Sequence, residues 1–225
     1  EDWQVVLKAL FPSAVMLNYD TPGIGLALAL RRQLPHGPSG RATVVFIQNH
    51  GLIVSADTMD EVIALNEDVL LKAEAFLGCD MTSYKMTNKV SAMINRDGLP
   101  GHIVFLSEDV QIGRVAGALR PFLFVPPFFP DGVVFCGAGA VELGNLEDDH
   151  PVGAYRERYG IVPAVIVYRQ HVFFVAENVR KARDVEDVFK VHLMALELAR
   201  GQVRSLPDAE VSFLGQWEAE KYRKK

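Results

Sequence analysis

Two stretches of the chain run through apolar and polar positions in the same order. Val44 to Ile47 is a β-branched and aromatic run that reads as a buried strand. Leu52 to Ser55 reads as a second strand after a turn at Gly51. Apolar residues then recur at Val62, Leu65, Val69, Ala73 and Phe76, the spacing of a helix with one face in a core. Asp57 or Thr58 can cap this helix, Glu61 completes a capping box with Thr58, and Gly78 stops it after about Leu77. The order returns later: strands at Val162 to Tyr168 and Val172 to Val175, then a long helix from about Val179 to Arg200. Its apolar face, Ala182, Val185, Phe189, Leu193 and Leu196, lies 120 positions after the first. The strands agree at that offset, Val45 falling on Val165, Phe46 on Ile166 and Ile47 on Val167. Asp57 and Thr58 fall on Glu177 and Asn178, again residues suited to capping. The pattern predicts a duplicated strand-turn-strand-helix unit.

Other elements are less regular. Glu1 to Leu17 is apolar and reads as irregular, and Asn18 to Gly23 as a turn. Gly25 to Leu34 reads as a helix stopped by Pro35 to Gly40. Lys85 to Ile94 and Val110 to Leu119 read as helices, and Pro121 to Pro130 is too rich in proline for one. Val133 to Cys136 reads as a strand, Leu146 to Gly153 as an acidic surface loop, Tyr155 to Tyr159 as a helical turn and Ala209 to Lys225 as a final helix. The sum is an α/β fold in three parts: residues 1–79, a connecting segment 80–120, and a second, related unit 121–225.

Composition narrows the partners. With 49% hydrophobic and 23% charged residues, the 225-residue chain has the make-up of a globular protein with ample core. A net charge of -5 gives no basic footprint, so nucleic acid is not expected. No apolar run reaches the roughly 18 residues of a membrane span, and no signal peptide is visible. Cys79 and Cys136 form no CxxC pair, which points to a reduced, cytoplasmic protein. The chain begins Glu1-Asp2-Trp3, as a fragment, a processed product or part of a longer polypeptide would.

Six histidines carry most of the candidate chemistry: His36, His50, His102, His150, His171 and His192. None forms an HxH pair or an HExxH motif. His50 stands out, because a histidine in the turn after a buried strand is fixed in place and offers a neutral ring nitrogen to an ion such as zinc. Histidines in such places more often serve structure. At an offset of 120 His50 faces Gln170 and His171 faces Gly51; at 121 the two histidines coincide. Helix phase favours 120, so the second copy lacks the ligand, unless the turn lengths differ. Glu147 to His150 could bind a cation but reads better as a solvated loop. Gly137-Ala-Gly139-Ala-Val-Glu142 has glutamate where a dinucleotide fingerprint needs its third glycine, so no dinucleotide is expected. Phe122 to Phe129 reads as packing.

One family fits the first copy. Tyr19-Asp-Thr-Pro22-Gly23-Ile-Gly-Leu26-Ala27, then Asn49-His50-Gly51-Leu52-Ile53, then Thr58-Met-Asp-Glu61-Val62 resembles the C-terminal half of a class II aldolase/adducin domain, over roughly residues 17–77. Phe129-Pro130-Asp131-Gly-Val133-Val134 and Trp217-Glu218-Ala-Glu220-Lys-Tyr222-Arg223 are similar to segments of the longer rhamnulose-phosphate-aldolase-like members. The resemblance implies a three-layer α/β/α sandwich with a largely antiparallel sheet. It implies a zinc-dependent lyase on a sugar phosphate of the ketose 1-phosphate type, with His50 as a zinc ligand, in a homo-oligomer. The family's HxH pair, its catalytic acid and its phosphate-binding residues precede the Tyr19 region, so a complete site implies a further N-terminal segment. The alternative is a catalytically silent, adducin-like binding or assembly module.

Overall fold

The computed structural model describes residues 2–34, 43–96, 101–200 and 202–216, and divides into two compact units, Glu1–Asp80 and Met81–Lys225. The fold is mixed α/β, as expected, with one sheet in each unit.

Unit 1 runs α1 (Trp3–Leu10), β1 (Val15–Leu17), α2 (Ile24–Gln33), β2 (Thr43–Ile47), β3 (Gly51–Ser55) and α3 (Met59–Leu77). Its sheet has the order β1-β2-β3, with β1 parallel and β3 antiparallel to β2. Alternation along β2 sorts its side chains. Val45 and Ile47 pack with Leu26 and Leu30 of α2, while Val44 and Phe46 pack with Val69 of α3 and with Phe11. Residues 2–17 are not irregular. Asp2 caps α1 by accepting from the Gln4 N–H at 3.0 Å, and β1 follows.

Unit 2 runs α4 (Thr82–Ile94), β4 (Ile103–Leu106), α5 (Val110–Ala118), a 3-10 turn at Arg120–Phe122, α6 (Pro130–Cys136), β5 (Val141–Leu143), α7 (His150–Tyr159), β6 (Val165–Tyr168), β7 (His171–Ala176), α8 (Val179–Leu198) and α9 (Asp208–Gln216). The sheet order is β4-β7-β6-β5, antiparallel except for β5 against β6. One face carries Val165, Val167, Val172 and Phe174 under α5 and α8. The other carries Ile166, Tyr168 and Phe173 against α4, α7 and α9. Val133 to Cys136 is helix, not strand. Pro130 fits the first turn and Asp131 suits its dipole, while a four-residue apolar run has no period to separate strand from buried helix. The acidic loop ends early for a similar reason, with Pro151 inside the first turn of α7.

The duplication extends further than the sequence pattern indicates. β1-α2-β2-β3-α3 and β5-α7-β6-β7-α8 share element order, strand order and strand direction. The two long helices correspond at the expected 120, with Thr58 and Asn178 both capping through their side chains. The strands do not share that single offset. Val44 and Phe46 face α3, and Val165 and Val167 face α8, so β2 matches β6 at 121. β3 matches β7 at 120, because Phe46 pairs with Leu52 and Val167 with Val172. Three residues join β2 to β3 and two join β6 to β7. Single-offset alignment reverses the faces of β2, because one residue inverts every side chain of a strand.

Candidate functional site

His50 closes the turn after β2. Its N–H donates to the Ile47 carbonyl at 3.0 Å, and Asn49 before it takes a left-handed φ of 54°, which asparagine tolerates. Gly51 follows at φ 142°. Gln48 ties the turn to the end of β1: its N–H donates to the Leu17 carbonyl at 2.9 Å, and its side-chain oxygen accepts from the Tyr19 N–H at 3.2 Å. The imidazole is therefore carried on a fixed backbone and is exposed. In unit 2 Arg169 takes the φ of Asn49, 55°, and His171 takes the pairing of Gly51. Gln170 is thus the counterpart of His50, and Gln48 is the residue that the shorter turn lacks.

The remaining candidates are placed elsewhere. His36 and the segment Trp217 to Arg223 lie outside the described residues. His150 begins α7, where its N–H donates to Asp148 at 3.0 Å; neighbouring Asp149 pairs with Arg96 and Glu147 with Lys89, so two carboxylates of the acidic run are already engaged. His171 opens β7 opposite Tyr168. His192 is buried and stacks on Phe128 at 5.0 Å and Phe129 at 5.9 Å. Burial alone pushes its pKa down to about 4, so it stays neutral. Among the described residues no three His, Cys, Asp or Glu side chains come together in a way that could hold a metal ion. The described residues alone do not fit a zinc site, and His50 offers a single donor.

The glycine-rich segment packs against its own unit. The Ala138 N–H donates to the Tyr155 hydroxyl at 2.8 Å, and burial raises the Tyr155 pKa to about 12. A Cβ on Gly139, at φ 116°, would lie 2.9 Å from the Val125 carbonyl oxygen. Glu142 is held by Arg120, whose Nε donates at 2.9 Å. Packing within unit 2 thus accounts for the glycine at 139.

One feature escaped the sequence reading. A cavity of about 440 Å³ opens at one end of the unit 2 sheet, with Val133, Ile161 and Val175 among its apolar walls and His102, Arg180 and Asp184 among its polar ones. The Nδ1 of His102 is buried with no hydrogen-bond partner among the described residues. These residues are scattered over more than 80 positions of sequence and carry no shared motif, so only the fold gathers them.

No protein-family model matches the chain, and no curated protein matches it. A solved structure that does match is YgbL from Escherichia coli, a proposed aldolase/epimerase/decarboxylase, at 14% identity and a TM-score of 0.33. The match covers 45% of this chain and 53% of that one, so the chain spans about half the length of YgbL. No helix among the described residues is long and apolar enough to cross a membrane.

Proposed function

We propose that this chain is part of a zinc-dependent lyase of the class II aldolase type, acting on a sugar phosphate of the ketose 1-phosphate kind, with His50 as one zinc ligand. The observation that supports it is the placement of His50: an exposed imidazole on a hairpin turn held from both sides, where the duplicated turn has Gln170. The remaining ligands and the catalytic acid come, on this reading, from polypeptide other than the described residues. The reading includes a three-layer, largely antiparallel sandwich completed by that polypeptide, a homo-oligomer and a cytoplasmic location.

The test is His50→Ala in the natural protein. Zinc content and aldehyde release from a phosphorylated ketose should both fall to background. In the 225-residue chain by itself the same substitution should change stability by less than about 0.5 kcal/mol, because the side chain is exposed there. Unchanged zinc and activity would end the assignment.

A second reading is a catalytically silent binding or assembly module of the adducin kind. The unit 2 cavity supports it, being of a size and mixed lining that suit a small ligand. Stoichiometric zinc together with retro-aldol activity would exclude this reading.

A further inference from the structure

The two copies of the repeat differ in what covers them. In unit 2, β7 has β6 on one side and β4 on the other. The α5 helix follows β4 and packs on α8, with Ile112, Val115 and Ala116 in one core with Phe189. Four polar contacts fasten this strand-helix segment to α8. Arg183 lies over the Phe105 ring at 5.7 Å, and the Ser107 hydroxyl donates to Glu186 at 2.6 Å. Lys190 pairs with Asp109, and Arg114 with Glu197 at 3.4 Å. The hydrogen bond from Lys190, followed by that from the Gln111 N–H, holds the Asp109 carboxyl below its ordinary pKa.

The matching positions on α3 are Ile63, Asn66, Leu70 and Leu77. Ile63 is 51% exposed, Leu70 37% and Leu77 69%. Among the described residues β3 pairs with β2 alone, and its edge residue Ile53 is 40% exposed. The Ser107 N–H donates to the Val172 carbonyl, so the main-chain groups of Val172 and Phe174 face the β4 side. Their counterparts Leu52 and Val54 turn theirs to the open edge of β3. An open edge and an apolar helical stripe therefore lie in unit 1 where unit 2 has a bound strand and helix.

We propose that these two features form one docking surface, and that its occupant is a strand-helix segment of the natural polypeptide lying ahead of α1. The order β4, α5, α6 in unit 2 supports that placement, since α6 and α1 both end five residues before the first strand of the repeat. The occupying strand runs antiparallel to β3, as β4 does to β7. Its helix presents apolar residues to α3, because Ile63, Leu70 and Leu77 stand where α8 has Arg183, Lys190 and Glu197. A second copy's own Ile103 to Ala118 does not suit the surface: Asp109 and Arg114 would be buried against Leu70 and Leu77 without partners. The inference rests on the duplication and is independent of any metal at His50.

Residue-resolved hydrogen exchange tests it, comparing the protein isolated from its natural source with the 225-residue chain. The Leu52 and Val54 amides should exchange about 100-fold more slowly in the natural protein, as closure of a free edge requires. A photo-reactive leucine at position 70 should cross-link to a segment ahead of α1. The triple variant Ile63→Arg, Leu70→Lys, Leu77→Glu gives α3 the charges of α8. It should restore fast exchange at Leu52 and Val54 in the natural protein and leave the melting temperature of the 225-residue chain unchanged. Equal exchange in the two proteins would overturn the proposal. So would a cross-link within residues 1–225, to a second copy or to a separate protein.

Discussion

His192 is a polar ring kept neutral inside an aromatic stack, and its position makes a prediction about acid. Its folded pKa of about 4 lies below the roughly 6.5 of an unfolded histidine. The unfolded chain therefore takes up the proton first as pH falls. Stability present above about 6.5 should drain away toward pH 4, by about 3 kcal/mol in all. His192→Phe keeps a flat ring among Phe128, Phe129 and Phe189 and should flatten that part of the unfolding-midpoint profile. An unaltered slope would contradict the neutral assignment. Gly139 gives a sharper case. Gly139→Ala combines a left-handed backbone with a Cβ at 2.9 Å from a carbonyl oxygen, and should cost about 2 kcal/mol or more in urea unfolding. At this scale the sequence showed that Glu142 spoils a dinucleotide fingerprint. It could not show that Tyr155, far along the chain, accepts from the Ala138 N–H.

Elements were legible where a period and a stop signal agreed. α3 has both: the Glu61 N–H donates to the Thr58 hydroxyl at 3.3 Å, the Thr58 N–H to Glu61 at 3.2 Å, and Gly78 turns left-handed at φ 63°. Thr58→Ala should lower stability by about 1 kcal/mol, read as an earlier thermal midpoint, while Thr58→Ser should leave it nearly unchanged. Short elements gave no such agreement. β1 and β5 are three residues each, too brief for alternation to register, and both are recognised by parallel pairing to a distant strand. The place of His50 in a hairpin turn was visible for the opposite reason, since both strands and the cap lie within a dozen residues of it. The partners of a metal ligand are a matter of distance in space, on which local pattern is silent.

At the scale of the whole molecule, the repeat was visible in helix phase but mis-registered in the strands. A single offset served α3 and α8 and failed for β2, because turn length is invisible to helical periodicity. The structure also shows what each unit does with its hairpin end. Gln48 lashes the longer turn of unit 1 to β1; in unit 2 the Arg120 guanidinium donates to the Arg169 carbonyl at 2.7 Å. Two different straps hold two loops of different length, and both cores keep their faces. Length at this corner is therefore cheap for the fold to alter. Related chains should carry insertions and deletions between β6 and β7 before they carry them anywhere inside the strands, and that turn, which holds no proposed ligand, is where a grafted peptide or a reporter dye would disturb the molecule least.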